Sequence, residues 1–136
     1  MLNSVLKDSE KYQPGLSIDC VIFGFYDNQL KVLLIKTAYS DQWGLPGGFI
    51  PKDEDLDLAA NSVLFKRTGL EGIFLRQFAT FGAVKRNKGH FNDGIFDALD
   101  TPLEERNWYL QRFITIGYYA LVDFLEAVPQ RKKDTE

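Results

Sequence analysis

The sequence predicts a single layered α/β domain, and three features predict it. The chain has 136 residues, 45% hydrophobic and 26% charged, which suits one domain with a real hydrophobic core. Two apolar, β-branched-rich runs, "LSIDCVIFGFY" and "LKVLLIK", are separated by "DNQ" and predict a β-hairpin. Their dense apolar content is typical of strands covered on both faces. An amphipathic helix then follows the hairpin, and together these features favour an α/β domain over residues 16–136, after a polar lead-in at residues 1–15.

The helix is predicted over about residues 54–68. Its stripe of apolar residues has the spacing i, i+3, i+4, i+7 and i+8, and consists of Leu56, Ala59, Ala60, Val63 and Leu64. Asp53 or Asp55 can cap the start, and Gly69 suits the position just after the end.

Two more long strands are predicted after this helix, in "GIFLRQFATFGAV" and "RFITIGYYALVDF". Gly82 and Gly117 within them are candidate sites of bulging or of close backbone approach. Between the strands the chain is polar and irregular except for "TPLEERNWYL". There Thr101 and Glu104 match a capping box and Pro102 takes the first helical position, so a short helix is expected.

Composition excludes several function classes. The net charge of −3 gives no general attraction to nucleic acid or anionic lipid. No stretch approaches the roughly 20 apolar residues of a membrane span. The single cysteine, Cys20, lies inside an apolar run, so the chain has no disulfide framework, and a reduced, cytoplasmic setting is expected. The single histidine, His90, makes no metal site without neighbouring cysteines and suits a surface position.

The segment "WGLPGGFIPKDEDLDLAANSVLFKRTGL", residues 43–70, carries the most specific motif. A hairpin, two glycines, a helix and long strands in this order resemble the Nudix hydrolase family, whose signature is Gx5Ex7REUxEExGU with U aliphatic. The signature fits this chain without a gap: Gly48, Glu54, Leu64, Gly69 and Leu70 take its conserved places. The resemblance implies a Nudix-type α/β/α sandwich with a mixed β-sheet, here with its last strand and helix missing.

The remaining signature positions differ from the family in the residues that carry chemistry. Ser62 stands in place of arginine, Val63 in place of glutamate, and Lys66 and Arg67 in place of the glutamate pair. In family members these glutamates share one helical face and hold Mg²⁺ that bridges a diphosphate. Because this face carries two cations instead, it would repel a divalent cation. We therefore expect no catalytic residue, no metal and no cofactor. Ser62 has no histidine in local spacing, so it is a weak candidate for a nucleophile.

A purely structural interpretation of the helix is also open. Val63 extends the apolar stripe, and Lys66 and Arg67 in the last turn complement the helix dipole by about 0.3 to 1 kcal/mol each. Gly47 and Gly48 are then present only because a turn needs them.

The sequence also resembles a group of bacterial transcription regulators. In these proteins a Nudix-like domain, whose signature segment (the Nudix box) is substituted, senses ADP-ribose or a sugar such as arabinose, and a winged helix-turn-helix follows it. The segments "WGLPGGFI", "RTGL", "FATFGAV" with "KRN", and "RFITIGYYALV" carry this resemblance. It implies an effector-sensing domain that binds a sugar or nucleotide-sugar without turnover. It also implies a homodimer, and DNA contact through a winged helix absent from this chain.

Two departures from these regulators stand out: an insertion at about residues 87–111, and a chain that stops at Glu136, so a fragment is one interpretation.

Six side chains are candidate ligand contacts. Aromatic rings would stack on a base or sugar, and basic groups would pair with phosphate or hydroxyl oxygens. They are Trp43, Phe81, Lys85, Arg112, Tyr118 and Tyr119. Alternation along the strand implies that Tyr118 or Tyr119 is ordinary core. Trp43 either packs under the "GLPGG" turn or lines the mouth of the pocket.

Two other function classes are compatible with the sequence. The first is a divergent Nudix pyrophosphohydrolase, which would require Mg²⁺. Its metal ligands would have to come from acidic residues near the helix and in the insertion: Glu54, Asp57, Asp93, Asp97, Glu104 or Glu105. A protein-interaction module with an empty pocket would show no rise in melting temperature with any small molecule.

Overall fold

The computed structural model describes residues 15–36, 41–85 and 93–123. Its centre is a five-stranded sheet made of β1 (Gly15–Tyr26), β2 (Gln29–Val32), β5 (Gly47–Phe49), β6 (Arg76–Phe81) and β7 (Phe113–Asp123). The strand order is β2-β1-β7-β6, with β5 also paired to β1. β1 and β7 are parallel, whereas the other pairs are antiparallel, so the sheet is mixed as predicted. A separate two-stranded sheet joins β3 (Ile35–Lys36) to β4 (Trp43–Gly44).

The predicted hairpin is formed by β1 and β2. Asp27 and Asn28 make its turn with φ of 50° and 62°, the sign that a two-residue hairpin turn of type I′ requires at both positions. Gln29 pairs with Tyr26 and belongs to β2 and not to the loop. The expectation that both strands are covered on both faces is wrong for β2, whose four residues are all exposed. β2 is an edge strand, and the core lies farther in, on β1 and β7.

The predicted helix is α1 (Leu56–Thr68), and its stripe packs on one face of the sheet. Asp55 precedes the first turn in extended conformation but makes no side-chain capping bond. Gly69 ends the helix with φ 77°, and its N–H donates to the carbonyl of Phe65 at 2.8 Å. The core between helix and sheet consists of Ile18, Cys20, Ile22, Ala59, Ala60, Leu64, Leu70, Ile116, Tyr118 and Ala120.

β6 is shorter than its apolar run predicts, because only Arg76–Phe81 pair with β7. Its register shifts between Gln77 and Ala79, which leaves Phe78 as the extra residue of a bulge. Opposite lies Gly117, where an added Cβ would stand 2.9 Å from Cε1 of Phe78. The predicted close approach at Gly117 is confirmed; at Gly82 an added Cβ would meet no atom within 4 Å.

The described part of the insertion contains two helices, α2 (Asp93–Ala98) and α3 (Leu103–Leu110), of which only α3 was expected. The capping box predicted at Thr101 and Glu104 is wrong: α3 begins one residue later, after Pro102, without a side-chain cap. The Thr101 N–H that a capping glutamate would bind already donates to the carbonyl of Phe96 at 2.9 Å, where α2 ends.

The insertion helices pack on the side of the sheet opposite α1. Phe49 of β5 meets Trp108 with ring centroids 4.9 Å apart and Phe113 at 5.3 Å. Phe96 is buried and contacts Tyr109 of α3. The helices and the sheet thus form the three layers of an α/β/α sandwich.

Some predictions fall on residues outside the described ranges. These are the lead-in up to residue 14, the surface position of His90 and the first part of the insertion. No helix in the described part of the chain is long and apolar enough to cross a membrane.

Candidate functional site

The helix α1 meets the glycine pair of β5 at a site that we call the box corner, made of Gly47, Gly48, Val63, Lys66 and Arg67. Val63 is buried, 6% exposed, and an added Cβ on Gly48 would lie 3.1 Å from its Cγ2. Gly47 and Gly48 lie in a strand, and the glycines with positive φ in the described residues are Gly69 and Gly72. The expectation that a turn requires the pair is therefore wrong. The requirement is one of space, because the helix and β1 leave little room for a Cβ.

A side-chain cation is fixed at the box corner. The Nε–H of Arg67 donates to the carbonyl oxygen of Gly47 at 2.9 Å, and the pair is partly buried. The two Nη groups of Arg67 make no hydrogen bond to any residue within the described ranges. Lys66, one position earlier, is exposed. The corner thus presents nitrogen donors where the signature has carboxylate acceptors.

Two acidic residues near the helix start, Glu54 and Asp57, accept hydrogen bonds from hydroxyl groups. Ser62 Oγ donates to Glu54 Oε1 at 2.6 Å, and the Tyr118 hydroxyl donates to Asp57 Oδ1 at 2.6 Å. Ser62 therefore orients the carboxylate of Glu54.

The acidic residues of the described ranges do not gather into a site for a divalent metal ion. Asp97 of the insertion forms an ion pair with Arg106 at 2.9 Å. Glu104 and Glu105 are exposed on α3, and Asp93 begins α2. Within the described ranges, no group of three histidine, cysteine, aspartate or glutamate side chains is close enough to hold a metal. Mg²⁺ needs several converging oxygen ligands, and the box corner offers two cations and a valine instead.

Burial perturbs two groups under the helix. The pKa of Tyr118 is raised, first by burial and then by the hydrogen bond and negative charge of Asp57. Burial, with a smaller contribution from the charge of Asp19, raises the pKa of Cys20 to about 12. Both groups stay protonated at neutral pH, so Cys20 is a small buried hydrophobe, as expected, and not a reactive thiolate.

The predicted ligand contacts fall on both sides of the sheet. Tyr118 lies under α1, 1% exposed, so it is the core member of the Tyr118 and Tyr119 pair. Tyr119 points to the opposite side and contacts Phe78 with ring centroids 5.9 Å apart. Phe81 lies beside Phe78 at 6.1 Å. Three half-exposed rings, those of Phe78, Phe81 and Tyr119, thus form one aromatic cluster above Gly117.

The basic candidates lie beyond the end of β6. Arg112 Nη2 donates to the carbonyl of Gly82 at 2.6 Å, which ties the start of β7 to the residue after Phe81. Lys85 is exposed three residues farther on. Trp43 lies apart on β4, 56% exposed, with Lys36 Nζ 5.9 Å from its ring centroid. The alternative in which Trp43 is core is wrong.

A separate open cleft of about 620 Å³ lies at the far end of α1. It is lined by Gly69 to Phe74, by Arg76 and by Tyr119 to Asp123. Of the predicted ligand contacts it contains only Tyr119. It does not include the corner where α1 meets β5.

Sequence reasoning missed Phe49, Phe78 and Trp108. Phe78 belongs to the quoted run "FATFGAV", but period-2 alternation places it on the wrong side, because the bulge adds a residue. The aromatic composition of "NWYLQRF" in the insertion could have indicated Trp108 as a partner for Phe49.

The mixed sheet, the helix after a glycine pair and the flanking helices define a Nudix fold with a substituted box. Solved structures agree. The NUDIX domain of Shewanella oneidensis NrtR, complexed with ADP ribose, matches with a TM-score of 0.65 and 24% identity, covering 100% of this chain and 81% of that one. Shewanella oneidensis NrtR complexed with a 27mer DNA matches with a TM-score of 0.57 and 29% identity, covering 82% of this chain and 44% of that one.

Among curated proteins, the chain is similar to the ADPR responsive transcriptional repressor NtrR of Acinetobacter baylyi. The two are 30% identical over 121 residues, which cover 85% of this chain and 40% of the relative. The chain thus spans less than half the length of this relative. No family model matches. The predicted resemblance to Nudix-related regulators is confirmed by these similarities.

Proposed function

We propose that this chain is the effector-sensing domain of a transcriptional regulator, and that it binds ADP-ribose without hydrolysing it. The observation that carries the proposal is the box corner, where Arg67 is bonded to Gly47 and Val63 packs on Gly48. This arrangement keeps the fold of the signature segment and replaces its carboxylate acceptors by the nitrogen donors of Lys66 and Arg67. A site of this kind suits the binding of an anionic ligand without Mg²⁺.

The relatives support ADP-ribose as the effector. The Acinetobacter relative is described as ADPR responsive, and the Shewanella domain was crystallised with ADP ribose. The aromatic cluster of Phe78, Phe81 and Tyr119 lies above Gly117 on the face opposite α1. Gly117 and Gly47 both pair with Asp19, so the cluster is two strands from the edge where Arg67 is bonded. It supplies flat faces for a base or a sugar. Arabinose is the second candidate that the sequence suggests, but it has no phosphate for the cations of the box corner.

The rest of the regulator follows as part of the same proposal. The Shewanella relative was crystallised with DNA. We assign DNA contact to a winged helix-turn-helix outside these 136 residues, and we propose a homodimer, since two-fold DNA sites match two-fold proteins.

Hydrolysis by recruited carboxylates gains no support from the described residues. Glu54 and Asp57 accept hydrogen bonds from hydroxyls, and Asp97 is paired with Arg106. A metal would have to displace these partners and then overcome the charges of Lys66 and Arg67.

Calorimetric titration in EDTA tests the proposal. ADP-ribose is expected to bind with a stoichiometry of one per chain and arabinose not to bind at matched concentrations. Repeating the ADP-ribose titration with Mg²⁺ should leave the affinity within about a factor of two, because no metal bridges protein and ligand. Binding of arabinose alone, or of neither compound, would refute the assignment of ADP-ribose.

A further inference from the structure

The contact between Arg67 and Gly47 leaves the binding edge of the guanidinium available. A guanidinium carries five N–H donors in a rigid plane. The contact with the Gly47 carbonyl uses the Nε–H at 2.9 Å. The Nη groups, which together form a two-pronged fork, have no partner among the described residues. Such a fork binds a phosphate through two parallel hydrogen bonds.

The fork is also held in place before any ligand arrives. Arg67 extends from the last turn of α1 and is itself partly buried. The carbonyl that anchors it belongs to β5, whose three residues pair with β1, and the carbonyl of the preceding Pro46 accepts from the N–H of Cys20 at 2.8 Å. An arginine fixed in this way loses little side-chain entropy on binding, so more of the hydrogen-bond energy appears as affinity.

The local charge favours an anion at this position. Lys66 adds a second cation on the same turn of the helix. Glu54, which precedes the helix, already accepts a hydrogen bond from Ser62, and Asp19 of β1 lies against Gly47. The last turn of the helix itself carries two cations and no acidic side chain.

We propose that Arg67 binds the diphosphate of the effector directly, so that a fixed side-chain cation takes the place of a bridging metal ion and selects diphosphate-containing ligands. This inference rests on the proposed function, because it names the group that recognises the ligand of that same site. It predicts that the ligand class is a nucleoside diphosphate derivative, and that a monophosphate or an unphosphorylated nucleoside binds more weakly.

The test compares ADP-ribose, AMP and adenosine by calorimetric titration in EDTA against four forms of the protein. These are the wild type, Arg67→Met, Arg67→Lys and the control Lys31→Met. Methionine keeps an unbranched stem without the charge, and lysine keeps the charge without the fork. Lys31 is an exposed cation on β2, remote from the box corner.

Loss of a charged hydrogen-bonded contact lowers affinity by about 10- to 150-fold. Arg67→Met is therefore expected to weaken ADP-ribose binding by that factor and to leave adenosine binding unchanged. Arg67→Lys should recover part of the loss, and Lys31→Met should bind all three ligands like the wild type. Thermal denaturation of each variant without ligand establishes that it is folded.

The possible failures are distinguishable. If the wild type binds none of the three ligands, the proposed function fails. If the wild type binds ADP-ribose and Arg67→Met binds it equally well, the function stands and the role of Arg67 is refuted. An equal loss for adenosine and ADP-ribose would show that Arg67 only supports the shape of the site, and would also overturn the inference.

Discussion

Replacement of Gly47 by alanine gives a direct test of how the box corner is built. A Cβ on Gly47 would stand 2.9 Å from the carbonyl oxygen of Ile18 and closer still to Oδ1 of Asp19. The Asp19 side chain can rotate away, but the Ile18 oxygen belongs to the backbone of β1. Ile18 pairs with Gly48, so relief of the clash requires β5 to move away from β1.

Overpacking of a closely packed site costs about 1 to 3 kcal/mol. The lower entropy of the unfolded alanine chain returns about 0.4 to 1 kcal/mol. The difference between these terms lies between about 0 and 2.6 kcal/mol, so we expect Gly47→Ala to lower the free energy of unfolding by about 1.3 kcal/mol, the middle of that range. It should also weaken ADP-ribose binding, because the carbonyl of Gly47 anchors Arg67.

Gly44→Ala is the matched control, since an added Cβ there would meet no atom within 4 Å. Both variants should be measured by urea denaturation followed by circular dichroism. Gly44→Ala is expected to be as stable as the wild type or slightly more stable. If Gly47→Ala is as stable as Gly44→Ala, then β5 does not pack on β1 as described, and the steric account of the glycine pair is refuted.

Three further perturbations test the core and the insertion. Tyr118→Phe removes the hydrogen bond to Asp57 and should lower the free energy of unfolding by about 1 kcal/mol in urea denaturation; no loss would mean that the bond does not form in solution. The pKa of Cys20 is raised from 9.0 to about 12 in the folded state. The stability that the protonated thiol contributes to the folded state is therefore fully present below pH 9 and is lost as pH rises toward 12. The wild type should lose about 1.4 kcal/mol per pH unit more than Cys20→Ala above pH 9, and parallel curves would contradict this. Trp108→Ala removes a half-exposed ring packed on Phe49 and should cost about 1.5 to 2.5 kcal/mol; a cost under about 0.5 kcal/mol would show that the insertion helix is not docked.

The elements set by local chemistry were predictable from sequence. The helix α1 follows from apolar residues at helical spacing between Leu56 and Leu64, and Gly69 ends it with a positive φ as expected. The hairpin follows from Asp27 and Asn28, which tolerate positive φ. The substituted signature positions were also identified, because spacing alone locates them.

Features that depend on contacts distant in sequence were not predictable. The bond from Arg67 to Gly47 joins residues 20 apart, and no local pattern encodes it. The capping box at Thr101 failed because the end of α2, itself too short to predict, takes the Thr101 N–H. Phe78 was missed because a bulge breaks the alternation that assigns strand residues to faces.

The division of the ligand candidates has the same cause. Tyr118 and Tyr119 are adjacent in sequence, and only the side on which α1 packs decides that Tyr118 is core. The sequence could not decide whether Trp43 lies in the core or at the pocket. Its exposure depends on the small sheet that β4 forms with β3.

Phosphorus NMR of ADP-ribose with this protein, before and after addition of Mg²⁺, separates binding of a diphosphate ligand at the box corner from its cleavage. If the box corner binds the ligand without cleaving it, the two phosphorus resonances shift or broaden with protein, stay intact over time and do not respond further to Mg²⁺ beyond its effect on free ligand. Appearance of AMP and ribose phosphate at a rate that depends on Mg²⁺ would contradict binding without cleavage, and would mean that other carboxylates have kept the chemistry of the box.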